Sequence, residues 1–199
     1  MNADATRRAS RIRLLLMDVD GVLTDGKIFN VPGPQGEMFE TKGFNAQDGI
    51  GLQWLGWKGI QTGVISGRVS PAVEERARQC KMAYVYQGHI EKIPILEEIL
   101  AASKIDSSEV AYIGDDLTDV VIMHRVGLAV ATANARPEAK AAAHYVTSAP
   151  GGDGAVREAV ELILKAQGLW REILEHYEID AADERRPDEA RVLAADKRR

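Results

Sequence analysis

The stretch Ile12-Arg13-Leu14-Leu15-Leu16-Met17-Asp18-Val19-Asp20-Gly21 decides the fold. Its apolar part, residues 12–17, is interrupted by Arg13 and runs straight into two aspartates. It is too short for the apolar region of a signal peptide and far too short to span a bilayer. It reads as a strand whose end carries Asp18 and Asp20. Outward from it, further short β-rich runs stand at 59–65, 82–86, 110–113, 128–131 and, more weakly, 144–146. Helical patterns lie between and after them, at 49–57, 71–81, 92–102, 117–126, 136–143 and 154–167. Strands alternating with helices predict an α/β domain, a Rossmann-like parallel sheet flanked by helices. Pro71 and Pro137 fall where a first helical turn tolerates proline.

One interval departs from the alternation. Residues 27–31 and 37–41 are short alternating runs around Pro32-Gly33-Pro34-Gln35-Gly36, which predicts a β-hairpin projecting as a flap over 27–42. The expected organisation is a single domain over 1–167, followed by an amphipathic piece at 169–177 and a charged, solvated tail from Asp180 to Arg199. With 199 residues the chain can bury one good core. A net charge of −5 argues against a nucleic-acid partner and requires local features to attract an anion. The lone Cys80 excludes an internal disulfide and fits a reducing, cytoplasmic setting, as a buried small residue rather than a nucleophile.

Three of the strand ends carry reactive or phosphate-friendly groups: Asp18-Val19-Asp20-Gly21, Ser66-Gly67-Arg68, and Gly114-Asp115-Asp116 with Asp119 beyond. In open α/β sheets ligands bind outside the carboxyl ends of the strands, so the three converge on one rim. Asp18, Asp115 and Asp119 form an acidic cluster that a hard cation such as magnesium would hold together. A carboxylate can accept a phosphoryl group as an acyl phosphate, and Asp20, two residues on, is placed to act as acid and then base. Ser66, the Gly67 N–H and Lys92 supply donors for phosphoryl oxygens. Lys92 opens a helix against its dipole, which points to a task other than helix stability. Singly, each has a bland reading: turn aspartates, an ordinary strand-to-helix loop, a surface lysine, and for Asp116 a helix cap. His89, His124 and His144 show no metal spacing, and Trp54 and Trp57 read as core or interface. The weight lies in the combination at three strand ends.

The residues from Asp18 to Gly26, Ile65 to Arg68, Lys92, and Gly114 to Asp119 resemble the four motifs of the haloacid dehalogenase superfamily, in the right order, over about 12–167. Aspartate at position 20 resembles its phosphatase and phosphomutase branches. More narrowly, Phe44 to Gly49, Tyr86 to Gly88, Gly151 to Glu158 and Ala166 to Gly168 resemble the phosphatases of 3-deoxy-D-manno-octulosonate 8-phosphate, a tetrameric family of lipopolysaccharide sugar synthesis. The resemblance implies Asp18 as nucleophile and metal ligand, and Asp20 as acid/base with its carbonyl on the metal. It implies Asp115 as the other direct ligand and Asp119 on a metal-bound water. Asn45, Asp48, Gly49, Gly67, Arg68, Arg76 and Lys92 fall where that family contacts substrate.

Two positions depart from the pattern: Gln53 stands where the family carries a basic residue and Gln47 where arginine is common. Lost positive charge there weakens the hold on a sugar carboxylate. The flap replaces a cap domain, so a lone subunit leaves its site open to water. A homotetramer is therefore expected, with the flap and residues 151–158 building a neighbour's site and Arg157 reaching toward it. The rival readings are a phosphatase of a related nine-carbon keto-sugar acid, a phosphatase of macromolecular phosphates, and a non-catalytic module attached to nucleotide-sugar synthesis.

Overall fold

The computed structural model describes residues 3–179. The charged tail expected from Asp180 onward lies outside the described residues. Six strands form one parallel sheet: β1 (Leu14–Met17), β4 (Gln61–Ile65), β5 (Tyr84–Tyr86), β6 (Val110–Gly114), β7 (Leu128–Ala131) and β8 (Tyr145–Val146). Their order is β5-β4-β1-β6-β7-β8. A separate antiparallel pair, β2 (Phe29–Pro32) and β3 (Met38–Thr41), makes the expected flap.

β1 is buried on both faces. Leu15 and Met17 pack into one apolar cluster, Leu14 and Leu16 into the other, as the two-residue period of a strand dictates. The first cluster is closed by α1 (Ala3–Ala9), α2 (Ala46–Trp57), α7 (Ala155–Ala166) and α8 (Trp170–His176). The second is closed by α4 (Ile93–Ser103), α5 (Leu117–Met123) and α6 (Pro137–Ala142). The remaining helix, α3 (Pro71–Gln79), buries Val73 and Ala77. Running continuously through the middle of the sheet, β1 has β4 on one side and β6 on the other. Chain order reverses there, which opens the crevice that ligands use.

Two differences from the expected elements have physical reasons. α1, which precedes the first expected element, is a helix because Ala5 and Ala9 bury completely against the core while Asp4 pairs with Arg8 at 2.8 Å. α2 starts three residues earlier than its apolar pattern, since the Asn45 side chain caps it by accepting the Gln47 N–H at 2.7 Å. Gly49 and Gly51 obscure that start in the sequence, but each makes room for a neighbour. A Cβ on Gly49 would lie 2.2 Å from an Arg76 nitrogen, and one on Gly51 would lie 3.1 Å from Arg157 Cδ.

The loop after β1 is backed by the turn that precedes α7. A Cβ on Gly151 would fall 1.7 Å from the Gly21 carbonyl oxygen, so only glycine allows the two backbones to touch. α8 docks through its aromatic residue. Trp170 meets Trp54 edge-on at 5.7 Å, and the Trp54 indole N–H donates to the Tyr177 hydroxyl at 3.0 Å.

Candidate active site

The strand ends meet as the order of the sheet requires. Asp18 and Asp20 follow β1, Ser66, Gly67 and Arg68 follow β4, and Asp115 and Asp116 follow β6; with Ile90, Lys92 and Thr118 they line one cavity of about 210 Å³. Lys92, the residue before α4, is buried although it is a lysine. Its ammonium lies 2.9 Å from Asp18 Oδ1 and 2.7 Å from Asp119 Oδ1, and it donates to the Tyr112 hydroxyl at 3.1 Å. Burial works against this cation, but the charges of Asp119 and Asp18 outweigh it and hold the pKa above the usual lysine value.

Asp119 is completely buried on α5. Oδ1 accepts from Lys92 and from the Tyr112 hydroxyl, both at 2.7 Å, and Oδ2 accepts the N–H groups of Asp115 and Asp116 at 2.9 and 3.2 Å. Four donors occupy the acceptor sites of a carboxylate. Asp119 thus lends negative charge to the cluster and anchors Lys92. Asp116 caps α5, its side chain accepting the Leu117 N–H at 2.7 Å.

Asp115 is the reverse case: its Oδ1 is buried and accepts no hydrogen bond. Oxygens of Asp18, Asp115 and Asp119 all lie within 4.8 Å of one another. Burial pushes Asp18 up to about 6, against the pull of Lys92, and pushes Asp115 up to about 7, with the charges of Asp119 and Asp18 adding. Crowded carboxylates with an unused oxygen fit a divalent cation, which supplies the charge they lack. Gly21 lets Asp115 come this close, since a Cβ there would sit 2.1 Å from Asp115 Oδ2.

The sequence profile of haloacid dehalogenase-like hydrolases matches residues 69–158. A 3-deoxy-D-manno-octulosonate 8-phosphate phosphatase of Yersinia pestis is 46% identical over 164 residues, 82% of this chain and 86% of that protein. The chain belongs to this phosphatase family. The 3-deoxy-D-manno-octulosonate 8-phosphate phosphatase of Moraxella catarrhalis, solved in complex with magnesium ion, phosphate ion and a KDO molecule, superposes with a TM-score of 0.82. It is 38% identical, and the match covers 87% of this chain and 98% of that one. A probable YrbI-family phosphatase of Pseudomonas syringae superposes at 0.83 with 41% identity, covering 89% and 98% of the two chains. The six-stranded parallel sheet expected from the sequence is therefore the fold of the 3-deoxy-D-manno-octulosonate 8-phosphate phosphatases.

The resemblance to these phosphatases also implied substrate contacts that the structure keeps away from this cavity. Asn45 is the cap of α2, and Arg76 holds the same turn from outside, donating to the Asn45 carbonyl at 2.6 Å beside the Phe44 ring. Gly49 lies under that guanidinium. Asp48 is buried and accepts the Arg157 backbone N–H at 2.8 Å, tying the start of α2 to the start of α7. The Arg157 side chain is engaged within its own subunit, its guanidinium 3.9 Å from the centre of the Trp54 ring and 2.8 Å from Glu161. Gln53 faces outward along α2, donating to the Gln79 carbonyl at 3.4 Å, so its missing charge lies outside the cavity.

Three residues that the sequence reading passed over belong to the site. Lys42 and Glu40 enter from β3 and its exit: Lys42 pairs with Asp20, Glu40 pairs with Arg68, and Lys42 lies 3.1 Å from Glu40. Alternation along 38–42 carries the signal, since Glu40 and Lys42 fall on the face opposite Phe39 and Thr41. Tyr112 lies beneath the site, completely buried, with its hydroxyl pKa raised well above the usual value by that burial. Nothing in the run from Val110 to Gly114 distinguishes it from a core aromatic.

Proposed function

We infer that the chain is a magnesium-dependent phosphomonoesterase acting on a sugar-acid phosphate, 3-deoxy-D-manno-octulosonate 8-phosphate, through an aspartyl-phosphate on Asp18. The observation that carries this reading is the Asp18 carboxylate held by a buried lysine at the floor of the cavity, beside the unpartnered Asp115 oxygen. A carboxylate oxygen of Asp18 attacks phosphorus, the ester P–O bond breaks, and Asp20 protonates the departing alkoxide. Asp20 then takes a proton from the water that attacks the acyl phosphate, which frees Asp18 and inorganic phosphate. Ser66 Oγ accepts the Arg68 N–H at 3.2 Å, which leaves its own proton free to donate. With the Gly67 N–H and Lys92, it meets the phosphoryl oxygens. Asp18, Asp115 and the Asp20 carbonyl would hold magnesium, whose charge offsets that of the phosphoryl oxygens.

The substrate class rests on family membership and on the sugar acid bound by the Moraxella relative. Phosphate release measured with magnesium across a panel of sugar phosphates tests it. We expect a preference for 3-deoxy-D-manno-octulosonate 8-phosphate of roughly 10²-fold or more in kcat/KM over six-carbon sugar phosphates, the scale that polar recognition provides. A nine-carbon keto-acid phosphate turned over faster would replace the substrate and leave the chemistry standing.

The flap supports a homotetramer. Phe29, Val31 and Phe39 lie on one face of the hairpin, each at least half exposed. An apolar face this open on a two-stranded ribbon fits burial against another copy. We expect sedimentation to show a tetramer and Phe39→Lys to yield smaller species; a fully active wild-type monomer would refute the assembly. A cytoplasmic location accords with the buried free thiol of Cys80, whose pKa burial raises. Among the described residues no helix is long and apolar enough to cross a membrane.

A further inference from the structure

The flap presents its two faces very differently. Phe29, Val31 and Phe39 point outward, yet the side chain of Lys42, on the other face at the exit from β3, is only 1% exposed. A lysine ammonium withdrawn from water is costly unless it is paired, and a solvent-facing hairpin gains nothing in stability from one. Among the described residues its ammonium meets two carboxylates, Asp20 Oδ1 and Glu40 Oε1. The far side of Glu40 grips Arg68, which holds its carboxyl, together with Lys42, below the usual carboxylate range. Arg68 Nε in turn lies 3.8 Å from Asp20 Oδ2. Lys42, Asp20, Arg68 and Glu40 thus close a ring of two cations and two anions across the gap between flap and sheet.

We propose that Lys42 is a positioning residue for the general acid/base, delivered by the flap of the same subunit and aligned by Glu40. Lys42 occupies Oδ1 of Asp20, whereas Arg68 Nε stands too far from Oδ2 for a hydrogen bond. Oδ2 is therefore the atom that carries the proton to the leaving oxygen and takes one from water. Lys42 fixes the carboxyl rotation so that this oxygen, and not its twin, addresses the ester. The flap in this view sets the aim of Asp20 as well as covering the site.

The inference rests on the phosphatase reading and is separable from it. With magnesium present, the wild type is assayed on an alkyl sugar phosphate, whose alkoxide must be protonated as it leaves. It is also assayed on p-nitrophenyl phosphate, whose phenolate leaves without a proton. Turnover of both esters, lost in Asp18→Asn, tests the phosphatase reading; the ratio between them tests Lys42. Lys42→Met should lower kcat/KM for the alkyl ester by on the order of 10²-fold and leave the aryl ester within about threefold, because general acid catalysis matters only for the poor leaving group. In an Asp20→Asn background the same substitution should add no further loss. Equal losses on both esters would mean that Lys42 merely supports the hairpin, and no loss on either would remove it from the reaction; both overturn the proposal. A further loss in the Asp20→Asn background would also overturn it.

Discussion

Asp18→Asn is expected to abolish turnover, by on the order of 10⁴-fold or more, while making the metal-free protein harder to melt at pH 8. The first effect follows from removing the nucleophile, after which neither transfer can occur. The second follows from burial. Asp18 is raised to about 6 in the folded chain, with burial the largest cause, from an ordinary 3.8. Below the ordinary value the group is protonated in both folded and unfolded chains and costs nothing. As pH rises toward 6 the unfolded chain ionises first, so stability drains away, and above 6 the full penalty is present. Asparagine never ionises. Its melting temperature without magnesium should exceed that of the wild type by about 5 °C at pH 8, and the gap should close toward pH 4. Calorimetry at the two pH values with chelator measures it. A variant that melts lower at pH 8 would show that the Lys92 contact outweighs the burial of Asp18.

Lys92→Met is expected to damage both activity and fold. The side chain is buried between Asp18 and Asp119, and removing it leaves the fully buried charge of Asp119 without its cation. Breaking a buried ion pair from one side costs about 3–5 kcal/mol, which for a domain of this size lowers the melting temperature by roughly 10 °C or more. Turnover should fall by about 10²–10³-fold, the scale of losing one donor to the charge that develops in the transition state. A melting temperature within a degree or two of the wild type would mean that Asp119 does not depend on this lysine.

The sheet was legible in the sequence because short β-rich runs recur along it with helical patterns between most of them, a pattern set by local spacing. The convergence of Asp18, Ser66 and Asp115 was legible for the same reason: once the strands are parallel, their carboxyl ends share a rim. The contributions of Lys42, Glu40 and Tyr112 were not. Each depends on a contact across distant parts of the chain, Lys42 with Asp20, Glu40 with Arg68 and Tyr112 with Lys92, and no local period encodes those. Asn45, Asp48, Gly49, Arg76 and Arg157 carry a second layer that the sequence did not show: within the subunit they cap α2, clamp it and join it to α7.

The contact between Gly151 and the Gly21 carbonyl divides the protein by mutational tolerance. No side chain of any kind fits where those backbones touch, so the loop holding the nucleophile is closed to variation from behind as well as from the cavity. The hairpin has no such restriction on its outward face, nor does the exposed side of α2 that carries Gln47. A lineage of this protein is therefore free to alter what it acts on, or what it assembles with, while the phosphoryl-transfer step stays as it is.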